Sequence, residues 1–142
     1  MDDRSVFLAF DYGTRNIGVA VGQMVTKSAT VLAPIIAHRG IVPWYAIDLL
    51  IRHWRPQALI IGVPHKMCGK DLKITVLAQQ FGEQLRSRYS LMVYEVEEAL
   101  TTKAAREELF SRGGYKALQN KSIDSVAARI ILEAWLNGDI QN

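Results

Sequence analysis

The chain has a single cysteine, Cys68, in 142 residues. One thiol builds neither a disulfide framework nor a cysteine-rich structural zinc site. Histidine is scarce too: His38, His53 and His65 are too scattered for a zinc set. No apolar run approaches the ~18–20 residues a membrane span needs, and Met1-Asp2-Asp3-Arg4 is the wrong start for a signal peptide. Charge of one sign is limited. Lys and Arg number 17 against 14 Asp and Glu, a net charge of +3 that favours a polyanionic partner only mildly. These absences lead to the expectation of a reduced, cytoplasmic protein with no membrane partner.

What is present is an ordinary globular composition, 49% hydrophobic and 22% charged, which excludes disorder. The length suits one domain, expected to span residues 1–142. A chain of this size buries roughly two-thirds of its unfolded surface, enough for one core. No repeat, linker or low-complexity segment interrupts it.

Val6 to Phe10 is an apolar run too short for a helix and reads as a buried strand ending near Asp11. Gly13 to Asn16 supplies a turn, Ile17 to Val21 a second strand, and Ala29 to Ile36 a third, giving an antiparallel meander. Pro43 suits a first helical position, before Ile47, Leu50, Ile51 and Trp54 at helical spacing. Ala58 to Gly62 is the next buried strand. Ile74, Leu77, Phe81 and Leu85 mark a second helix, and Leu91 to Val96 a fifth strand. Thr102 to Phe110 and Ser122 to Leu136 read as the last helices, the final one with an apolar face of Ile123, Ala127, Ile130, Ile131 and Ala134. Between them, Arg112 to Lys121 reads as a glycine-bearing, basic loop. Trp44, Trp54 and Trp135 fall in helical patterns and read as core. The pattern predicts an α/β fold, a mixed five-stranded sheet with helices on both faces.

Three acids stand at the ends of core elements. Asp11 closes the first strand; a carboxylate there needs a cleft, a base or a metal, because an isolated buried charge is costly. Gly18 leaves a spot without a side chain facing whatever Asp11 faces. Glu97 and Glu98 end the fifth strand, and only one of them can share a face with Asp11. Asp124 lies in the first turn of the final helix, at the edge of its apolar stripe. Each also has a bland explanation in turn chemistry, helix capping or the helix dipole. Strand and helix ends gather at one rim of an α/β sheet, where crowded carboxylates invite a hard divalent cation, Mg²⁺ or Mn²⁺. Arg15 sits where it either grips a phosphate or is solvated at a turn. His65 and Lys66 follow the Gly62-Val63-Pro64 turn, where they either border the cleft or belong to a loop with no part in it.

Four ordered motifs resemble the YqgF (RuvX-like) proteins: Asp11-Tyr-Gly-Thr-Arg-Asn-Ile-Gly-Val-Ala20, Ile61-Gly-Val-Pro64, Glu97-Glu-Ala-Leu-Thr-Thr102 and Lys121-Ser-Ile-Asp-Ser-Val-Ala-Ala128. Arg112-Gly-Gly-Tyr115 resembles that family too. The resemblance implies a ribonuclease H-like fold and a metal-dependent nuclease that matures the 5′ end of pre-16S rRNA. It assigns an acidic triad to Asp11, Glu98 and Asp124, holding Mg²⁺ or Mn²⁺. Glu98 takes the glutamate slot of the family's Asp-Glu-Arg stretch, in which this chain has Glu97 for the aspartate and Ala99 for the arginine. Where the family has an Asp-Gly pair after Gly62-Val63-Pro64, this chain has Cys68-Gly69. Precursor rRNA, together with ribosomal particles, is the expected partner, with branched DNA as the alternative. Arg15, Arg112, Lys116 and Lys121 are the expected phosphate contacts, and the expected state is a monomer or weak dimer. Two other functions stay open: Holliday junction resolution, and a non-catalytic RNA- or transcription-associated module. An actin-like ATPase, which shares Asp-x-Gly-Thr, needs two such domains and does not fit this length.

Overall fold

The computed structural model describes residues 5–63, 72–97 and 123–138. Its elements are β1 (Val6–Asp11), β2 (Asn16–Gln23), β3 (Ser28–Ile36), α1 (Trp44–Trp54), β4 (Ala58–Val63), α2 (Leu72–Tyr89), β5 (Met92–Glu97) and α3 (Ile123–Leu136). The sheet order is β3-β2-β1-β4-β5. β1 and β2 pair antiparallel, as do β2 and β3, while β4 joins β1 and β5 in parallel. The central position of β1, covered on both faces, explains why Val6 to Phe10 is continuously apolar rather than alternating.

Alternate residues of each strand serve two cores. Leu8 and Phe10, with Leu59 and Ile61, meet Ile47 of α1 and Phe81 and Leu85 of α2. Phe7, Ala9, Ala20, Ile60 and Val96 meet Ala128, Ile131 and Leu132 of α3. Trp135 stacks between Phe7 and Tyr94, with ring centroids 5.0 and 5.2 Å away. Trp44 lies 5.8 Å from Phe81, and Trp54 packs against the same core. The tryptophans are structural, as their spacing predicts.

α1 and α2 are clasped at the surface. The Arg88 guanidinium reaches both carboxylate oxygens of Asp48 at 3.2 Å and lies 5.2 Å over the Trp44 ring. The Tyr89 hydroxyl donates to Asp48 at 2.5 Å. Hydrogen bonds from Arg88 and Tyr89 hold the Asp48 carboxyl below its ordinary pKa. Burial, then the bond to Asp48, pushes the Tyr89 phenol up.

Two expectations need correction. Pro43 is the N-cap of α1 rather than its first helical residue; its carbonyl accepts the Ala46 N–H at 3.0 Å. The buried face of α3 is rolled away from the stripe read in the sequence. Ile130 and Ala134 are half-buried, whereas Ser125, Ala128, Leu132 and Leu136 are buried. The expected helix over Thr102 to Phe110 and the basic loop over Arg112 to Lys121 lie outside the described residues.

Candidate active site

Asp11 is the last residue of β1, directly opposite Gly18 on β2 and Gly62 on β4. It shares the face of Phe7 and Ala9, beneath α3, and is 3% exposed. Both neighbours lack a side chain on that face. A Cβ at Gly62 would stand 3.7 Å from Asp11 Oδ1 and only 2.5 Å from Ile131 Cδ1. The expectation that Gly18 clears the ground beside Asp11 is met, and Gly62 does the same from the other side.

Glu97 pairs with Val63 at the end of β5 and falls on the face of Val93, under α1 and α2. Val96 falls on the face of Asp11. Glu97 is therefore turned away from Asp11. Glu98 lies outside the described residues. The side chain of Asp124 does too, although its backbone belongs to the first turn of α3. Among the described residues no three of His, Cys, Asp and Glu come together.

Arg15 is exposed on the turn between β1 and β2. That turn is laced to the segment after β3: the Ala37 N–H donates to the Arg15 carbonyl at 2.8 Å, and the Gly40 N–H to that of Thr14 at 3.2 Å. The lacing brings Arg39, exposed and left-handed at φ 51°, beside the same turn. Sequence reasoning missed Arg39, because only the long-range pairing places it near Arg15. Arg112, Lys116, Lys121, His65, Lys66 and Cys68 lie outside the described residues. His53 is exposed and packs edge-on to Trp54, a surface role.

A second missed residue is Ser125. Ile17 pairs with Ile35 but Val19 with Leu32, so Gly18 faces two residues, Ala33 and Pro34, across a β-bulge. Ser125, 4% exposed, sits on the pair beside the bulge. Its Oγ accepts the Val19 N–H at 3.3 Å and donates to the Leu32 carbonyl at 2.9 Å. Pro34, which has no N–H to give, was the available signal of an irregular edge strand. Farther along α3, Glu133 accepts the Ala29 N–H at 3.0 Å and the Arg129 guanidinium at 2.7 Å.

A mixed sheet of order β3-β2-β1-β4-β5, flanked by helices and carrying a buried aspartate at the end of its central strand, defines the ribonuclease H-like class. Thermus thermophilus RuvC in complex with a Holliday junction substrate has this fold, with a TM-score of 0.59 at 14% identity over 96% of each chain. A second Thermus thermophilus RuvC structure gives 0.57 at 16% identity, over 94% of this chain and 95% of that one. The family model described as "RuvX: Holliday junction resolvase" matches residues 5–138, and the chain belongs to that family. Similar relatives occur in Aeromonas hydrophila, 47% identical over 96% of each chain, and in Legionella pneumophila, 47% identical over 94% of this chain and 96% of that one. Both are named "Putative pre-16S rRNA nuclease". No helix among the described residues is long and apolar enough to cross a membrane.

Proposed function

We propose that this chain is a divalent-metal-dependent nuclease that hydrolyses phosphodiester bonds in 5′-end maturation of pre-16S rRNA. The observation that carries the reading is Asp11, a buried carboxylate ending the central strand between two glycines. The names of the relatives supply the substrate.

Asp11, Glu98 and Asp124 would hold Mg²⁺ or Mn²⁺, hard cations suited to carboxylate oxygens. Asp11, the member of this set whose side chain is described, suits such a group. Only hydrogens occupy the Cβ positions on either side of Asp11, and a Cβ at Gly62 would stand in ordinary contact with the carboxylate, 3.7 Å from Oδ1. When bound, the metal supplies Lewis-acid stabilisation of the phosphate and activation of the attacking water. The chain's own part is geometric and electrostatic. β1 fixes Asp11 within a hydrogen-bonded ladder, and α3 closes over it from the Ile131 side. Arg15 and Arg39 offer cations at the neighbouring turn, where they would position the phosphate backbone. Glu97 plays no part in this assembly.

The description of the family model favours a second reading, Holliday junction resolution. Paired nicks need two active sites related by a two-fold axis, whereas a monomer or weak dimer in the cytoplasm acting on precursor rRNA needs one. The test is cleavage of labelled precursor rRNA and of a synthetic four-way junction at equal concentration, with Mg²⁺, Mn²⁺ or EDTA and with mass measured by light scattering. Metal-dependent cleavage of the RNA by a monomer supports the first reading. A stable dimer that nicks the junction symmetrically and spares the RNA replaces it with the second. Binding without cleavage in any metal points to a non-catalytic module.

A further inference from the structure

We infer that Ser125 is a positioning residue of this nuclease: its hydroxyl pins the first turn of α3, and with it Asp124, to the bulged strands beside Asp11. The inference rests on the proposed nuclease reading. Gly18 pairs with Asp11 on one side and faces the bulge at Ala33 and Pro34 on the other. At the adjoining pair, Val19 and Leu32, the Ser125 hydroxyl stands between an N–H and a carbonyl that would otherwise answer each other in the ladder. One side chain thus satisfies two strand groups at once and fixes the height and roll of the helix end. An aliphatic residue would fill the space and leave both groups unanswered in a buried place. Beyond the far end of α3, the Asn137 amide donates to the Lys27 carbonyl at 3.1 Å. Asn137, just past the end of α3, stands twelve positions from Ser125, about 18 Å at the helical rise. Each end therefore has its own pin, and of these two it is the Ser125 pin that lies beside the Asp11–Gly18 pair.

The experiment compares wild type, Ser125→Ala, Ser125→Thr and Asn137→Ala for kcat and KM on labelled precursor rRNA in Mg²⁺ and in Mn²⁺, with melting temperature measured for each. Ser125→Ala is expected to lower kcat at least about tenfold while KM stays within about twofold, because binding is kept and geometry is lost. Ser125→Thr, which keeps the hydroxyl, is expected to recover most of that loss. Asn137→Ala is expected to lower the melting temperature yet leave kcat at the wild-type value. If Ser125→Ala does not fold, Ser125→Cys, close in size and a weak hydrogen-bonding partner, carries the same comparison. A folded Ser125→Ala or Ser125→Cys with wild-type kcat overturns the inference, as does a loss of kcat shared by Asn137→Ala in proportion to its melting temperature. A wild type that cleaves nothing in either metal overturns the nuclease reading, and the inference falls with it.

Discussion

Asp11 and Gly62 face each other across the parallel β1–β4 pair, and the missing side chain at Gly62 lets Ile131 of α3 close on the sheet beside the carboxylate. Gly62→Ala places a methyl 2.5 Å from Ile131 Cδ1, in a core where Ile131 is fully buried. The expected cost is about 1–3 kcal/mol, the range for overpacking. Ile131→Val, which removes that Cδ1, is expected to recover part of the loss in the double variant. Chemical denaturation of the two singles and the double checks this; strictly additive losses would show that the two residues do not compete for space.

Asp11→Asn, Glu98→Gln and Asp124→Asn are each expected to reduce metal-dependent cleavage by about a hundredfold or more, since each removes a proposed metal ligand. Melting temperature without metal is expected to hold or rise, because one charge leaves a crowded acidic rim. Glu97→Gln is expected to cleave normally, as Glu97 lies on the other face of β5. An inactive Glu97→Gln beside an active Glu98→Gln would reverse the assignment.

Phosphate contacts should declare themselves through salt. Neutralising Arg15, Arg112, Lys116 and Lys121 one at a time is expected to flatten the salt dependence of RNA binding. Each true contact lowers the slope by up to about one log unit per decade of salt. Arg39→Ala, beside Arg15, is expected to behave as Arg15→Ala does. An unchanged slope removes the residue concerned from the binding surface.

The α1–α2 clasp predicts a pH signature away from the site. Asp48 has its pKa depressed by Arg88 and Tyr89, so its contribution is present above the ordinary carboxylate value of 3.8 and is lost as pH falls through the lower folded value. Tyr89 has its pKa raised, so its contribution is present below the ordinary 10.0 and fades as pH climbs through the higher folded value. Asp48→Asn is expected to lower the melting temperature at neutral pH, with the gap to wild type closing in strong acid. Melting curves from pH 2 to 8 check it; a gap of constant size would show that the clasp is not the cause.

Much of this fold is legible in the sequence because the central strand advertises itself. Val6 to Phe10 is apolar without alternation, as only a strand covered on both faces can be, and Asp11 breaks the run where the sheet reaches its rim. Gly18 was readable for the same reason: a glycine inside a strand pattern marks close approach. The roll of α3 was not readable. Its buried face includes a serine whose burial is decided by a backbone N–H on β2 and a carbonyl on β3, and hydrophobicity carries no trace of either. The face taken by Glu97 follows only from the register of β5 against β4, which nothing local to the sequence sets. Arg39 escaped notice because nothing local ties it to the first turn.

The bond between Val19 and Ser125 joins residues 106 positions apart. The meander of β1, β2 and β3 closes over short turns, while its covering helix comes from the far end of the described chain. Local pairings form at smaller loop-closure cost than distant ones, so the strands bearing Asp11 are expected to order first and the cover over it last. During refolding the cleft would pass through a stage in which the acidic strand end is built but unroofed, open to water and to stray ions. Pulse-labelled hydrogen exchange tests this: the Ala20 and Val21 amides should gain protection before that of Val19, which waits for Ser125. Chemistry at such a rim would begin as the last step of folding, so that a half-made molecule is also a harmless one.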